Sequence, residues 1–172
     1  MEQVEKIYFD MDGVLADFER GVKEMCGVIP PSQNSKDFEP GEDDEMWKKI
    51  RGIEHFYDKL ELMPGAKEMF DAVYGRYGDK CEILTGIPKK KREIKDADND
   101  KKKWVRRLLS EDIVVNIVYR EDKYKYCKGK SYILIDDMEQ NIREWNDMGG
   151  TGILNVNAQS TMSRLREMGI QL

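Results

Sequence analysis

A chain of 172 residues is the size of one domain with room for a small insertion, long enough to bury a sizeable core. Hydrophobic residues make up 40% and charged residues 37%, a very polar but foldable balance. The mean hydropathy of -0.72 and the lack of any apolar run of about 18 residues exclude a membrane-spanning helix, and a formal charge of -5 gives no reason to expect a nucleic-acid polymer as partner.

The opening "MEQVEKIYFD" lacks the basic start and apolar core of a signal peptide, so a cytoplasmic protein is expected. Within it "KIYF" reads as a buried strand ending at Asp10. "GVLADFERGVKEM" then carries apolar residues at 14, 15, 18, 22 and 25, which is helical spacing. After Gly27 the stretch "GVIPPSQNSKDFEPGEDDE" is too rich in Pro, Ser, Asn and acid for a core strand. "MWKKIRGIEHFYDKLEL" reads as a helix or helix pair, and "PGAKEMFDAVYGRYG" as a helix opened by Pro64 and closed by glycine. "CEILT" is a short buried strand stopping at Thr85-Gly86. A charged segment, "PKKKREIKDADNDKKK", reads as a solvated loop, or as a basic rim that steers anions. A helix ending in "KKKWVRRLLS", strands "DIVVNIVY" and "SYILI", a helix "MEQNIREWNDMGG", a strand "GILNV" and a last helix "AQSTMSRLREMGI" complete the chain.

Strands separated by helices of about ten residues imply βαβ crossovers and a mainly parallel sheet. The expected fold is therefore an α/β three-layer, Rossmann-like core over 1–26 and 63–172, with a small helical insertion at 27–62. Cys26, Cys81 and Cys127 are too scattered for a metal motif and read as reduced thiols. His55, the one histidine, reads as a cap or surface residue with no partner in view, which removes histidine-based nucleophilic and zinc chemistry.

In such sheets functional groups collect at the carboxyl ends of the strands. Those ends carry Asp10 and Asp12, then Thr85-Gly86, then Lys123 in "REDK", then Asp136 and Asp137 in "ILIDD". Two unit charges about 4 Å apart repel by roughly 4 kcal/mol at an effective dielectric of about 20, a large share of a domain's net stability of about 5–15 kcal/mol. Four crowded carboxylates therefore call for a cation, and all-oxygen ligands favour Mg²⁺ bound together with a substrate phosphate. The Thr85 hydroxyl, loop amides and Lys123 then match the remaining phosphate oxygens. Lys130 precedes its strand and falls at the opposite edge of the sheet. Lys89 and Lys101 read as surface lysines, with an outer phosphate contact as the weaker alternative.

"DMDGV", "ILTG", a lysine after the third strand and "ILIDD" resemble, in this order, the four motifs of the haloacid dehalogenase (HAD) superfamily of phosphohydrolases. The resemblance implies that Asp10 attacks phosphorus and becomes an aspartyl phosphate. Asp12 would protonate the leaving oxygen and later deprotonate water, which requires a carboxyl made less acidic than the usual value near 3.9 by its carboxylate neighbours. It further implies that Mg²⁺ is held by the Asp10 side chain, the Asp12 backbone carbonyl and a last-motif acid, Asp137 before Asp136.

"DMDGVLADFE", "HFYDKLELMPGA", "KKKWV", "REDK" and "LIDD" resemble more closely the 5'(3')-deoxyribonucleotidase branch. That likeness implies a helical cap whose aromatic residues stack on a nucleobase, with Phe18 at the stacking position and Trp47 among the cap aromatics. Trp47 and Phe56 also fit a plain role in the cap's core. The branch's usual Thr-Ser is Thr85-Gly86 here, so a backbone amide replaces one hydroxyl donor. The expected substrate is a nucleoside monophosphate; another small phosphate ester, a polynucleotide end and a non-catalytic binding protein remain as alternatives, and a homodimer is left open. A response-regulator receiver would place its acids, threonine and lysine in a different order.

Overall fold

The computed structural model describes residues 3–172, so the first two residues of the expected 1–26 core segment lie outside the described residues. Among the described residues five strands, β1 (Lys6–Phe9), β2 (Cys81–Gly86), β3 (Val114–Val118), β4 (Tyr132–Asp136) and β5 (Thr151–Leu154), form one parallel sheet in the order β3-β2-β1-β4-β5. Six α-helices accompany them: α1 (Phe18–Cys26), α2 (Asp44–Arg51), α3 (Ala66–Tyr77), α4 (Ala97–Leu108), α5 (Glu139–Asp147) and α6 (Ala158–Glu167). No helix among the described residues is long and apolar enough to cross a membrane.

The strands are short apolar runs because both faces of the sheet are covered. Side chains alternate between faces with period two. Ile7 and Phe9, with Ile83, Ile133 and Ile135, join a large core containing Phe70, Trp104 and Leu165 from α3, α4 and α6. Tyr8, Leu84 and Leu134 turn to the other face, where Trp145 of α5 and Tyr126 pack on them. Cys26, Cys81 and Cys127 are free thiols.

β1 is central, with β2 on one side and β4 on the other, so the strand order reverses at its carboxyl end. That is where an open α/β sheet leaves a crevice. The amide of Asp10 continues the ladder one step past β1, donating to Ile135 O at 2.9 Å.

The apolar spacing from residue 14 predicts a helix there, but α1 begins only at Phe18. The amides of Leu15 and Ala16 both donate to Met11 O at 2.8 Å, forming a tight turn that buries Val14, Leu15 and Ala16. Asp17, the third carboxylate of "DMDGVLAD", caps α1 by accepting from Arg20 N at 3.2 Å, the usual way an Asp satisfies an orphan helix amide. The returning chain pairs with this turn: Asp17 N donates to Glu61 O at 2.7 Å and Met63 N to Leu15 O at 2.8 Å. Between these two legs, α1, α2 and a 3-10 turn at Phe56–Lys59 form one excursion from the sheet.

Candidate active site

The crevice beyond β1 gathers Asp10, Asp12, Thr85, Lys101, Lys123, Asp136 and Asp137. Burying an unpaired ion costs several kcal/mol, so the two lysines sunk here each need anionic or dipolar partners, and they find different ones. Lys123 enters from the 3-10 turn after β3 and donates to Asp10 Oδ1 and Asp136 Oδ2, both at 2.9 Å. Burial works against its charge, but Asp10 and Asp136 outweigh burial and push its pKa up. Lys130 lies exposed at the far end of β4.

Asp136 is fully buried and held on every side. Its Oδ1 accepts from Met138 N at 2.9 Å, and its Oδ2 accepts from Asn141 Nδ2 at 3.0 Å as well as from Lys123. Asn141 is in turn oriented by Arg120, which donates to its Oδ1 at 2.9 Å. Asp136 thus has little left to offer a further ligand, and Asp137 is the freer acid of the pair.

Asp10, Asp136 and Asp137 each bring an oxygen within 4.8 Å of the others. Burial, then the Asp136 charge, pushes the Asp10 carboxyl up to about 7. Burial, then Asp10 and Asp136, pushes Asp137 to about 9. Gly13 makes room for this: at φ +83 a Cβ here would stand 2.0 Å from Asp137 Oδ2. Only glycine accepts that backbone without penalty while leaving the space.

Asp12 keeps Asp10 as a carboxylate neighbour, and its charge is one of the influences that raise the Asp10 pKa. Its carboxylate stands outside the three-acid cluster and is ion-paired, its Oδ2 accepting from Lys101 Nζ at 2.9 Å. Asp12 Oδ1 is the buried side-chain oxygen or nitrogen without a hydrogen-bond partner among the described residues.

Lys101 corrects the surface-lysine reading: it is fully buried. Besides Asp12, its Nζ donates to Thr85 Oγ1 at 2.9 Å and Gly86 O at 2.7 Å, and it lies 4.5 Å from the centre of the Tyr57 ring. The signal available in the sequence was position: 101 shares one face of α4 with Ala97, Trp104 and Val105, all buried. The lysine-rich surroundings masked it, since Lys102 and Lys103 beside it are exposed, as is Lys89.

His55 is exposed and caps the 3-10 turn at Phe56–Lys59, as the cap or surface reading expects, but it is not without a partner. Its Nδ1 lies 2.9 Å from Oδ1 of the buried Asp100, one residue before Lys101. Trp104 Nε1 donates to Leu60 O at 2.7 Å, and Arg107 Nη2 to Asp58 O at 2.5 Å. The chain around 55–60 is therefore stitched along α4.

Phe18 and Trp47 are a half-buried pair, rings 5.9 Å apart, and Phe18 is joined to the site through Tyr57, whose ring lies against Lys101. Phe56 and Tyr57 complete the cluster, 5.7 Å and 6.3 Å from Phe18, and both are buried. Arg92, from the 3-10 turn at Lys90–Arg92, lies over Trp47 at 5.9 Å and pairs with Asp43 and Asp44. Arg51 Nη1 also reaches Glu93 at 3.2 Å. Neither Arg92 nor Tyr57 was distinguished in the sequence, because both contacts join segments tens of residues apart.

A parallel sheet with an Asp-x-Asp turn at its switch point, a threonine, a buried lysine and an acid pair on successive strand ends defines a hydrolase of the HAD class. Solved structures share this fold. A dehalogenase in an intermediate complex superposes with TM-score 0.57 at 13% identity, over 90% of this chain and 85% of its own. The L-2-haloacid dehalogenase of Xanthobacter autotrophicus gives 0.54 at 11%, over 99% and 85%. A HAD-superfamily hydrolase from Ehrlichia chaffeensis gives 0.51 at 12%, over 98% of both chains. No curated protein matches in sequence. The family described as "5' nucleotidase, deoxy (Pyrimidine), cytosolic type C protein" matches residues 3–162, and the chain belongs to it: it is a phosphoric monoester hydrolase.

Proposed function

We propose that the protein is a Mg²⁺-dependent nucleotidase that dephosphorylates nucleoside monophosphates, deoxy ones before ribo ones, through an aspartyl phosphate on Asp10. The observation that carries this reading is the asymmetry of the site. Asp10 faces two further acids and one lysine, while Asp12 across the turn pairs with a second lysine, which also donates to the Thr85 hydroxyl.

The three-acid cluster fits a hard divalent ion. Three carboxyl groups share a few ångströms, two have their pKa pushed well up, and Lys123 reaches only Asp10 and Asp136. Asp10 and Asp137 would hold the ion by their side chains and Asp12 by its carbonyl, with Asp136 fixed behind them. When bound, Mg²⁺ supplies positive charge that compensates the carboxylates and the incoming phosphate.

Asp10 is the nucleophile: one of its oxygens bonds to phosphorus as the ester oxygen leaves. Asp12 gives that leaving oxygen a proton, then takes one from the water that attacks the aspartyl phosphate, releasing inorganic phosphate and restoring Asp10. Lys101, Lys123 and the Thr85 hydroxyl bind phosphoryl oxygens, with a Gly86 backbone amide in place of a second hydroxyl. The segment 27–62 is a small helical cap on the core formed by 1–26 and 63–172, and Phe18 with Trp47 offers the base an aromatic face. The family's cytosolic description and three free thiols support a cytoplasmic location.

The test is a phosphatase assay on p-nitrophenyl phosphate and a metabolite panel. Turnover should vanish with EDTA, return with Mg²⁺ and be absent in Asp10→Asn. dUMP, dTMP or related monophosphates should lead the panel in kcat/KM. Base stacking is worth about 1–3 kcal/mol, so Phe18→Ala should cost them roughly ten- to a hundredfold while sparing p-nitrophenyl phosphate. Sugar phosphates ranked first would remove the nucleotide assignment and leave the aspartate chemistry; activity indifferent to chelation would remove the metal.

A further inference from the structure

Asn34 belongs to the irregular stretch between α1 and α2, where residues 28–43 contain neither helix nor strand. Its side-chain amide meets the turn joining β4 to α5. Nδ2 donates to Asp137 O at 2.8 Å, and Oδ1 accepts from Glu139 N at 2.9 Å. Two hydrogen bonds from one planar amide, to a carbonyl and to the amide two residues later, fix both the spacing and the direction of that backbone. On its other side the same turn is pinned by Met138 N, which donates to Asp136 Oδ1 at 2.9 Å. The peptide carrying Asp137 is therefore held between the acid behind it and a side chain 103 positions earlier in the chain. The Asp137 carboxyl itself meets the Asp10 side chain and fills the space that Gly13 leaves open.

We propose that Asn34 is a positioning residue for the metal-binding turn. By gripping Asp137–Glu139 it sets the direction of the Asp137 carboxylate, and it makes docking of the 28–43 stretch and loading of the cation a single coupled event. The proposal rests on the reading that Asp10 and Asp137 take Mg²⁺. Coupling between two sites is reciprocal: if the docked stretch strengthens cation binding, the cation must strengthen docking by the same factor. The exposed position of Asn34 lets it come and go without disturbing the core.

The experiment compares the full-length wild type, Asn34→Ala and a control, Gln33→Ala, at an exposed neighbouring side chain. Mg²⁺ affinity is measured by calorimetry without substrate, and amide hydrogen exchange of residues 28–43 is followed with Mg²⁺ and with EDTA. In wild type and in Gln33→Ala, Mg²⁺ should slow exchange across 28–43. In Asn34→Ala, Mg²⁺ affinity should fall on the order of tenfold, the scale of ordinary couplings between sites, and the slowing should disappear. Melting temperature in EDTA and exchange in β1 should stay at wild-type values, which separates positioning from general damage. Wild-type Mg²⁺ affinity in Asn34→Ala, undiminished slowing in that variant, or an equal loss in Gln33→Ala would overturn the proposal. A wild type that binds no Mg²⁺ at all would instead overturn the metal reading beneath it.

Discussion

Removing the cation should make the protein's stability depend on pH in a direction opposite to ordinary acid unfolding. Asp10 and Asp137 have folded pKa values of about 7 and about 9, against 3.8 for an ordinary aspartate. Both are raised, so between roughly pH 5 and 7 the folded site keeps protons that the unfolded chain has lost. Stability then falls as pH rises, by about 1.4 kcal/mol per pH unit for each extra proton held. Asp137 keeps its proton over both units and Asp10 loses half of its own by pH 7, together about 5 kcal/mol, and in a domain of this size each kcal/mol moves Tm by about 2–4 °C. Thermal melts in EDTA should therefore drop by about 10–20 °C from pH 5 to pH 7. Saturating Mg²⁺ requires deprotonated ligands, so it should flatten that slope, and the Mg²⁺-induced rise in Tm should grow with pH. A Tm in EDTA that holds level or climbs over this range would refute the crowded-acid account, as would a Mg²⁺ increment independent of pH.

Lys101→Met removes a buried amine from Asp12, Thr85 and Gly86 O. Charge-assisted hydrogen bonds are worth about 1.5–3 kcal/mol, so KM for p-nitrophenyl phosphate should rise roughly ten- to a hundredfold; an unchanged KM in steady-state kinetics would contradict a phosphate-facing Lys101. Gly13→Ala places a Cβ where Asp137 Oδ2 now lies and puts an L-residue at φ +83. A left-handed backbone costs about 1–2 kcal/mol, which the fold should survive, but Asp137 must move, and calorimetry should find Mg²⁺ binding weakened at least tenfold; normal affinity would count against Asp137 as a ligand.

The architecture was legible because the first four strands are short runs that each end in chemistry, and that pattern depends on local sequence. Asp10, Thr85, Lys123, Asp136 and Asp137 converge because five parallel strands all end on the same side. What local pattern could not show was which charged residues turn inward. Lys101 is surrounded in sequence by exposed lysines and acids, and only the packing of α4 against Leu60 and Tyr57 carries it into the site. Likewise Val14 and Leu15 have helical spacing but serve a buried turn, because the converging amides on Met11 O satisfy the backbone without a helix. The His55–Asp100, Arg92–Asp43 and Asn34–Asp137 contacts join residues 45, 49 and 103 positions apart, beyond the reach of periodicity.

The stitching of residues 55–60 along α4 divides the excursion between Asp17 and Glu61 into a fixed jamb and a leaf. Trp104, Arg107 and the His55–Asp100 pair tie the jamb to the very helix that presents Lys101, so that half cannot swing without pulling Lys101 from Asp12 and Thr85. The leaf, α2, is latched to the Lys90–Arg92 turn and Glu93 by ion pairs at its outer seam. Any opening that leaves Lys101 in place must bend between Arg51 and Phe56, where Gly52 closes α2 and His55 already sits at φ 55. If the proposed reading of 27–62 as a substrate cap holds, exchanging the leaf alone should redraw substrate range while the acids and lysines behind the jamb stay as they are.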